Sequence, residues 1–290
     1  MTAPAEAGEV GAGRGIVVTG AGGQVGTALR QRIPQATFLR HAELDVTDEA
    51  AVTAAIGPAS TVIHLAALTN VDGCEGDPDR AFAVNADGTR NVVQAAAEAG
   101  ARVIYLSTDY VFDGTRAGEY GEDDLPAPTS AYGRSKLEGE RFVSKAPDNL
   151  VIRTSWVYGE GPNFIRTILS AARRGDPLRV VDDQRGRPTW ADDLAAGLVH
   201  LVRTEIAGIL HVTGDGPAGT WADVADLAVK SARLSIPVER IGSETYRRTA
   251  GRVVAPRPAN SVLSLDRARR LGVPLMDWRR SVRSYVEAAS

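Results

Sequence analysis

A tyrosine and a lysine stand four residues apart in Tyr132-Gly133-Arg134-Ser135-Lys136, which places both side chains on one face of a helix. The chain has seven tyrosines and three lysines, so chance predicts fewer than about 0.1 such pairs. An ammonium beside a phenol favours the phenolate and lowers its pKa from about 10. The spacing therefore predicts a general acid, Tyr132, that donates a proton to a carbonyl oxygen. The alternative is an exposed pair without a chemical role.

Four hydrogen-bonding side chains, Ser107-Thr108-Asp109-Tyr110, follow an apolar run that is typical of a buried strand. Parallel α/β sheets bind ligands outside the carboxyl ends of their strands, so this cluster is expected to face the same cleft as Tyr132. We expect Thr108 to hydrogen-bond the reacting oxygen, and Asp109 and Tyr110 to hold substrate hydroxyls. Ser107 is expected to satisfy backbone groups.

Strands and helices alternate along the first half of the chain. Strands are predicted at 16–18, 36–39, 61–65, 102–106 and 150–153, and helices at 25–33, 49–56 and 131–143, with a long helix ending at Gly100. This order predicts an α/β fold, a Rossmann-type doubly wound parallel sheet with helices on both faces. Prolines loosen the pattern after about residue 155, which indicates a smaller C-terminal substrate-binding lobe.

The predicted domain organisation has three parts. Residues 1–14 form a flexible tail, and 15–155 form the dinucleotide-binding domain, to which segments near 178–215 return. Residues 156–290 are mainly the substrate-binding lobe, interleaved with the sheet.

Three glycines, Gly20, Gly23 and Gly26, lie between the first strand and the first helix. Glycines there allow a tight turn and let backbone N–H groups approach a pyrophosphate at the helix N-terminus. Val25 replaces the last glycine of G-x-G-x-x-G, and the G-x-x-G-x-x-G form is typical of the short-chain dehydrogenase/reductase superfamily. The alternative is a tight turn without a ligand.

Arg40 stands where an NAD-preferring site carries Asp or Glu, about 20 residues past the first glycine. An arginine there can pair with a 2′-phosphate, which favours NADPH, with NADH also possible. A solvated arginine at a strand end is the alternative. Asp45 and Val46 are suited to a contact with the adenine side.

Composition excludes several functions. The 290 residues are 43% hydrophobic and 24% charged with a net charge of −3, so no basic field favours nucleic acid or an acidic membrane. The single cysteine, Cys74, excludes an internal disulfide and a multi-cysteine metal site, and no metal is expected. No apolar run reaches about 18 residues, so no membrane span is predicted. The N-terminus has no apolar signal-peptide region, and a cytoplasmic location is expected.

Several motifs resemble those of dTDP-4-dehydrorhamnose reductase, an extended short-chain dehydrogenase/reductase family. They are STDYVFDG with SAYGRSKLEGE, together with HLAALTNVDGCEGDPDRAFAVNADGTRN, RTSWVYGEGPNF, DDQRGRPTWADDLA, RPANSVLSLDRARRLG and DWRRSV, in the family's order from about Gly15 to the C-terminus. The resemblance implies NAD(P)H-dependent reduction of the C4 ketone of dTDP-4-dehydro-L-rhamnose to dTDP-L-rhamnose.

The resemblance also implies roles for individual residues. It assigns catalysis to Thr108, Tyr132 and Lys136. It assigns the cofactor to Gly20, Gly23, Gln24, Val25, Gly26, Asp45, Ala66, Ala67 and Thr69, and the sugar to Val71, Asp109, Tyr110 and Trp156. Asn163, Arg187 and Arg257 would contact the nucleotide diphosphate, where arginine offers bidentate binding. Core packing is the alternative for Trp156, and surface ion pairs are the alternative for the arginines.

The chain departs from the family in three places. Leu68 makes the HLAAL loop more apolar, and Ala28 replaces a glutamate that supports a metal-linked dimer in some members, so a magnesium-bridged dimer is not expected. The partner prediction is a dTDP-sugar substrate with a monomer or homodimer. Arg185 and Arg187 make their loop basic, which leaves a different sugar nucleotide open.

Three other functions stay open from the sequence. The first is a 4-ketoreductase of another dTDP-deoxysugar in secondary metabolism. The second is a non-catalytic regulatory subunit of the methionine adenosyltransferase type, against which the intact Tyr132 and Lys136 argue. The third is an epimerase or dehydratase that uses Asp109, although Tyr110 stands where such enzymes typically have a glutamate.

Overall fold

A six-stranded parallel sheet forms the centre of the molecule in a computed structural model that describes residues 15–57, 59–251 and 253–288. The tail predicted at 1–14 lies outside the described residues. In spatial order the strands are Gly208–His211 (β10), Leu150–Thr154 (β5), Arg102–Thr108 (β4), Ala59–His64 (β3), Gly15–Thr19 (β1) and Thr37–Leu39 (β2). The prediction of a doubly wound α/β sheet is confirmed.

Helices cover both faces of this sheet because successive strand residues point to opposite sides. On one face, Val18, Ile104 and Ile152 pack under two helices, Gln24–Arg32 (α1) and Ala191–Val202 (α8). On the other face, Val17, Val103 and Val151 pack under three helices, Glu49–Ile56 (α2), Gly88–Ala99 (α5) and Ala131–Val143 (α6). Both clusters are fully enclosed, which fixes the strand ends relative to α1 and α6.

The smaller lobe is built from three short strand pairs and the remaining helices. Its strands are Val157–Tyr158 (β6) with Thr189–Trp190 (β9), Leu178–Val181 (β7) with Val238–Ile241 (β12), and Arg185–Gly186 (β8) with Gly219–Thr220 (β11). Its helices are Phe164–Arg174 (α7), Trp221–Ser231 (α9), Ser243–Thr249 (α10), Asp266–Arg270 (α11) and Trp278–Ala288 (α12). Side chains of α7, α9 and α12 share one core.

No helix in the described ranges is long and apolar enough to cross a bilayer.

The helix predicted to end at Gly100 does end there, where Gly100 takes the left-handed conformation after α5. Before α5 the chain forms Val71–Gly76 (α3), Pro78–Phe82 (α4) and a π-helical turn at Ala83–Asp87, which the sequence did not distinguish. Pro78 cannot continue the preceding helix, and the Asp77 side chain caps the next one by accepting from the backbone N–H of Arg80.

The fourth strand also differs from its predicted bounds. It continues past Leu106 through Ser107 and Thr108, which pair with Arg153 and Thr154 of β5. Side-chain polarity does not interrupt a ladder of backbone hydrogen bonds when the side chains find partners of their own. The first two residues of the polar cluster are therefore rigid parts of the sheet.

Candidate active site

Tyr132 lies in the first turn of α6, and the start of this helix is fixed by three contacts. The Ser130 hydroxyl accepts from the backbone N–H of Gly133 at 3.1 Å, and the Glu75 carboxylate accepts from the N–H of Ala131 at 2.8 Å. A Cβ on Gly133 would lie 2.1 Å from the carbonyl oxygen of Tyr110, so only glycine lets α6 approach that backbone. The Tyr110 and Tyr132 rings meet edge to face with centroids 5.9 Å apart.

Burial raises the pKa of the Tyr132 phenol, and the nearby Asp109 and Tyr110 add to the rise. Hydrogen bonding with the Thr108 hydroxyl offsets part of it. The sequence prediction of a lowered pKa is wrong for the chain without ligands, because desolvation by burial has the largest effect on the Tyr132 phenol. A neutral phenol is nevertheless the form that a proton donor needs.

Lys136 lies one helical turn beyond Tyr132 and is 2% exposed. Burial lowers the pKa of its ammonium to about 7, and the Glu140 carboxylate one turn further along α6 offsets part of the change. Its Nζ lies 4.0 Å from the centroid of the Tyr105 ring and forms no hydrogen bond with a described residue. Its donors are therefore available to a ligand.

Thr108 links the strand end to Asp109. Its hydroxyl donates to Asp109 Oδ1 at 3.1 Å and accepts from the backbone N–H of Tyr110 at 3.2 Å. Asp109 is buried, and burial raises the pKa of its carboxyl to about 7, with the Ser261 and Thr108 hydroxyls offsetting part of the rise. Asp109 Oδ2 is buried without a hydrogen-bond partner among the described residues, so the predicted contact with a substrate hydroxyl stays a prediction.

Tyr110, Arg257 and Asp72 form a polar group beside Tyr132. Arg257 Nη2 donates to Asp72 Oδ1 at 2.8 Å, and the Arg257 guanidinium offsets part of the rise in the pKa of the Tyr110 phenol that burial causes. Val71 precedes Asp72 at the start of α3 and is partly exposed. The structure thus brings Val71, Tyr110 and Arg257 to the predicted substrate side of the cleft.

A buried ion pair that the sequence analysis missed lies behind the site. Arg153 Nε and Nη2 donate to the two carboxylate oxygens of Glu140 at 2.9 and 2.7 Å, and Ser107 Oγ donates to Glu140 Oε1 at 2.5 Å. Ser107 was predicted to satisfy backbone groups, and it bonds a carboxylate instead because Glu140 of α6 reaches the strand. The signal was an arginine inside an apolar strand, which needs a partner.

Asn85 of the π-helical turn is a second missed residue. Its Oδ1 accepts from the N–H of Leu68 at 2.7 Å, and its Nδ2 donates to the Leu68 carbonyl at 3.1 Å and to Ser135 Oγ at 3.0 Å. These bonds hold the loop after β3, which carries the partly exposed Ala66 and Ala67 and the exposed Thr69, against α6. A buried asparagine in a helical stretch was the available signal.

The glycine loop leaves room for a phosphate at the N-terminus of α1. Gly20 has a φ of +66°, and a Cβ there would lie 2.4 Å from Ala66 N; a Cβ on Gly26 would lie 2.6 Å from Ala21 Cα. By contrast, a Cβ on Gly23 meets nothing closer than Gly20 O at 3.4 Å, and no side chain caps the helix. Free N–H groups and open space fit a pyrophosphate.

The other predicted cofactor residues surround this loop. Gln24 begins α1 and donates to the Pro162 carbonyl at 2.9 Å, while Val25 is buried. The exposed Arg40 packs against the loop, with its Cγ 3.5 Å from the place of a Cβ on Gly22, and is paired with Glu43. Asp45 accepts from Thr47, which lowers the pKa of its carboxyl, and Val46 is buried.

Trp156 lies beside a pocket of about 220 Å³ in the smaller lobe, in contact with one of the residues that line it. Its ring stacks on Trp221 with centroids 3.9 Å apart, and it has a positive φ of 47°, a strained conformation for a bulky residue. Trp221 lines the pocket together with Phe164, Arg179, Gln184, Ser243, Tyr246, Arg247 and Arg257. One face of Trp156 is therefore already covered, and Arg257 reaches both the pocket and Tyr110.

Two residues predicted to contact the diphosphate are engaged elsewhere. Asn163 caps α7, accepting from Arg166 N at 3.0 Å and donating to the Tyr285 hydroxyl at 2.7 Å. Arg187 is 5% exposed, donates to the carbonyls of Gly216 and Leu263, and pairs with Glu119. Both predictions are corrected to structural roles because every nitrogen of these side chains already has a partner.

In the described parts of the chain, no group of three His, Cys, Asp or Glu side chains is placed to hold a metal ion.

The doubly wound sheet, the glycine loop and the Tyr132–Lys136 pair at one sheet edge together define an extended short-chain dehydrogenase/reductase. The sequence model of the RmlD substrate binding domain family matches residues 14–290. This chain therefore belongs to the dTDP-4-dehydrorhamnose reductase family.

Individual relatives agree with this assignment. A dTDP-4-dehydrorhamnose reductase of Sinorhizobium fredii is 40% identical over 94% of this chain and 97% of its own length. A probable dTDP-4,6-dihydroxy-2-methyloxan-3-one 4-ketoreductase of Streptomyces antibioticus is also 40% identical, over 92% of both chains. A Bacillus anthracis dTDP-4-dehydrorhamnose reductase solved in complex with NADP is 32% identical, with a TM-score of 0.88 over 96% of this chain and 100% of that chain.

Proposed function

We propose that this chain is an NADPH-dependent ketoreductase that reduces the C4 ketone of a dTDP-4-keto-6-deoxy sugar, with dTDP-4-dehydro-L-rhamnose as substrate and dTDP-L-rhamnose as product. One observation carries the proposal: Thr108, Tyr132 and Lys136 lie together at the sheet edge that also presents the uncapped N-terminus of α1. Family membership supports the same conclusion.

The cofactor would be held by the glycine loop, Arg40 beside it, and the loop of Ala66 and Ala67. NADPH, when bound, supplies the hydride for the carbonyl carbon. Tyr132 holds a proton on its phenol and donates it to the ketone oxygen as negative charge develops there. The Lys136 ammonium and the Thr108 hydroxyl stabilise the phenolate that remains.

The substrate would extend from this cleft past Trp156 into the pocket of the smaller lobe. Val71, Tyr110 and Trp156 are assigned to the sugar, while Asp109 acts by orienting the Thr108 hydroxyl. Arg257 is assigned to the diphosphate. Arg179 and Arg247, which line the pocket, take the diphosphate contacts that were predicted for Asn163 and Arg187. Residues 15–155, with returning segments near 178–215, would bind the dinucleotide, and 156–290 would mainly bind the sugar nucleotide.

A second substrate is favoured by one specific finding. The Streptomyces antibioticus relative named as a 4-ketoreductase of a different dTDP-deoxysugar is as similar to this chain as the Sinorhizobium fredii reductase. Reduction of another dTDP-4-keto sugar would use the same proton donor and the same pocket.

The test follows NADPH absorbance with dTDP-4-keto-6-deoxyglucose, with and without its 3,5-epimerase, for wild type and Tyr132→Phe. We expect oxidation that requires the epimerase and falls at least about 100-fold in the variant, because the proton donor is lost. Oxidation without the epimerase would point to the second substrate. No oxidation of NADPH or NADH under either condition would refute the proposal.

Cofactor choice is tested separately with Arg40→Asp. The substitution places a carboxylate beside the proposed 2′-phosphate, so we expect the KM for NADPH to rise at least about tenfold while the KM for NADH changes little. Glu43→Gln removes the ion-pair partner of Arg40 without reversing the local charge and is the matched control. Equal changes for both cofactors in Arg40→Asp would show that Arg40 does not contact the 2′-phosphate.

A further inference from the structure

The buried ammonium of Lys136 has an unusual environment. Its Nζ forms no hydrogen bond with any residue that the structure describes, and the nearest carboxylate along its own helix, Glu140, is already bonded by Arg153 and Ser107. An isolated buried cation is costly, and burial alone shifts it towards the neutral amine. A neighbouring group that attracts the ammonium would therefore favour the charged form of Lys136.

The face of the Tyr105 ring is placed to do this. Lys136 Nζ lies 4.0 Å from the ring centroid, inside the range of about 6 Å in which an aromatic face attracts a cation. Tyr105 is completely buried in β4, where water does not compete for the ammonium. Cation–π attraction is strongest at such desolvated positions.

The orientation of the Tyr105 ring is fixed from two sides. Its hydroxyl donates to the backbone carbonyl of Lys136 at 3.3 Å, and a Cβ on Gly139 would lie 2.3 Å from that hydroxyl, so α6 packs directly onto it. The His64 ring stacks on Tyr105 with centroids 5.5 Å apart. The ring therefore has little freedom to turn away from the ammonium.

We propose that Tyr105 is a positioning residue of the reductase: its aromatic face holds the Lys136 ammonium in place and in its charged form on the side of α6 that carries Tyr132. The catalytic consequence rests on the proposed function, because a charged Lys136 is needed to stabilise the Tyr132 phenolate. The contact between the ring and the ammonium does not depend on the substrate.

The other groups facing Lys136 do not replace the ring. His64, from β3, hydrogen-bonds Thr19 and Thr89 and is neutral, since burial and Lys136 lower its pKa to about 3. Glu140, from α6, attracts the ammonium, and its carboxylate is at the same time paired with Arg153 from β5. Tyr132, also from α6, is neutral in the chain alone.

The direct test measures the Lys136 pKa while the electron density of the ring is changed at constant shape. Tyr105→Phe serves as the parent, and 4-fluoro-, 3,4,5-trifluoro- and pentafluorophenylalanine are incorporated at position 105. The chain has three lysines, so ¹³C-lysine labelling gives three Cε signals, assigned with Lys145→Arg and Lys230→Arg. Each variant is titrated by NMR with and without NADP⁺.

We expect the Lys136 pKa to fall stepwise with fluorination, by about 0.5 to 1.5 pH units over the series. The matched control is the same series at Phe112, a buried ring that faces the Arg153 guanidinium at 5.1 Å, where the Lys136 pKa should stay constant. A Lys136 pKa that is constant across the position-105 series overturns the proposal. A role of Tyr105 in packing alone would change the melting temperature and leave this pKa unmoved.

The kinetic readout is the alkaline limb of the pH profile of kcat/KM. We expect this alkaline limb to move to lower pH in step with the Lys136 pKa, because the Lys136 ammonium loses its proton at lower pH in the fluorinated variants. A limb that stays fixed while the pKa moves would overturn the catalytic part of the proposal. Absence of reductase activity in wild type would refute the proposed function, while the NMR titration would still decide the role of Tyr105.

Discussion

Burial favours the neutral form of three groups in the candidate site. It raises the pKa of the Tyr132 phenol, lowers that of Lys136 to about 7 and raises that of Asp109 to about 7. Tyr132 therefore keeps its proton until a developing oxyanion draws it away. Lys136 and Asp109 change charge near neutral pH, so the electrostatic state of the site is sensitive to small changes around pH 7.

Asp109 gives a pH-dependent prediction for folding stability. Its folded pKa of about 7 exceeds the ordinary value of 3.8, so the folded state binds the extra proton, and stability falls as pH rises between these values. Asp109→Asn removes the ionisation. We expect the variant to be more stable than wild type at pH 8 and to lose most of this advantage at pH 5, measured as melting temperatures without cofactor.

Asp113→Asn is the control of opposite sign. Hydrogen bonds from Thr115 and Tyr120 lower the pKa of Asp113, so its contribution to stability is present at neutral pH and lost as pH falls through the lowered value. This variant should be less stable than wild type at pH 8. If Asp109→Asn behaved like Asp113→Asn at pH 8, the carboxyl of Asp109 would not be held neutral by burial.

The N-terminus of α1 differs from those of the other helices next to the site. The Ser130 side chain caps α6 and the Asn70 side chain caps α3, whereas Gly23 leaves α1 without a side-chain cap. An uncapped helix start at the end of β1 presents N–H groups and the positive end of the helix dipole to the cleft. These groups are suited to binding an anion from outside the chain, which stays a prediction.

Alanine substitutions of two glycines in this loop are predicted to have different effects, one on NADP⁺ binding and one on folding stability. Gly23→Ala adds a Cβ that meets no close atom of the folded chain, so we expect a free energy of unfolding within about 0.5 kcal/mol of wild type and NADP⁺ binding weakened at least about tenfold. Gly20→Ala meets Ala66 and needs a positive φ, so it should destabilise the fold by more than about 1 kcal/mol. Urea unfolding and calorimetric titration measure the two effects. Unchanged NADP⁺ affinity in Gly23→Ala would contradict a phosphate at this position.

At the scale of the whole molecule, late parts of the chain complete the early sheet. β10 pairs with β5, and α8 packs on α1, although both come from the second half of the chain. Local patterns predicted β1 to β5 and α6 because hydrophobic periodicity and caps are properties of neighbouring residues. The sequence also predicted that segments near 178–215 return to the dinucleotide-binding domain, but no local pattern identified β5 as the partner of β10, since only contacts distant in sequence decide it.

In the candidate site, too, the sequence predicted the residues of local motifs and missed the contacts between distant parts of the chain. Thr108, Tyr132 and Lys136 were found from spacing within short motifs. Asn163 and Arg187 were misassigned because their partners, Tyr285 and Leu263, lie 122 and 76 residues further along the chain. The π-helical turn at Asn85 was missed for the same reason, because its bonds to Leu68 and Ser135 join separate elements.

The second half of the chain contributes to both the central sheet and the smaller lobe, which predicts a single cooperative unfolding transition. The four tryptophans all lie between positions 156 and 278, so their fluorescence reports mainly on the smaller lobe, while far-UV circular dichroism reports on both lobes. Because β10 and α8 tie the second half of the chain to the sheet, the two signals should change at one urea concentration. Separate midpoints would show that the lobes unfold independently.

The buried pair of Arg153 and Glu140 restricts how the sequence can evolve. Losing one partner strands a charge in the interior, at a cost of about 3–5 kcal/mol, whereas exchanging both for apolar residues is often neutral. The single loss takes a large share of a net stability of about 5–15 kcal/mol. A sequence that evolves by single substitutions passes through a variant with this loss of stability. We therefore expect Arg153 and Glu140 to be retained together or replaced together among related proteins.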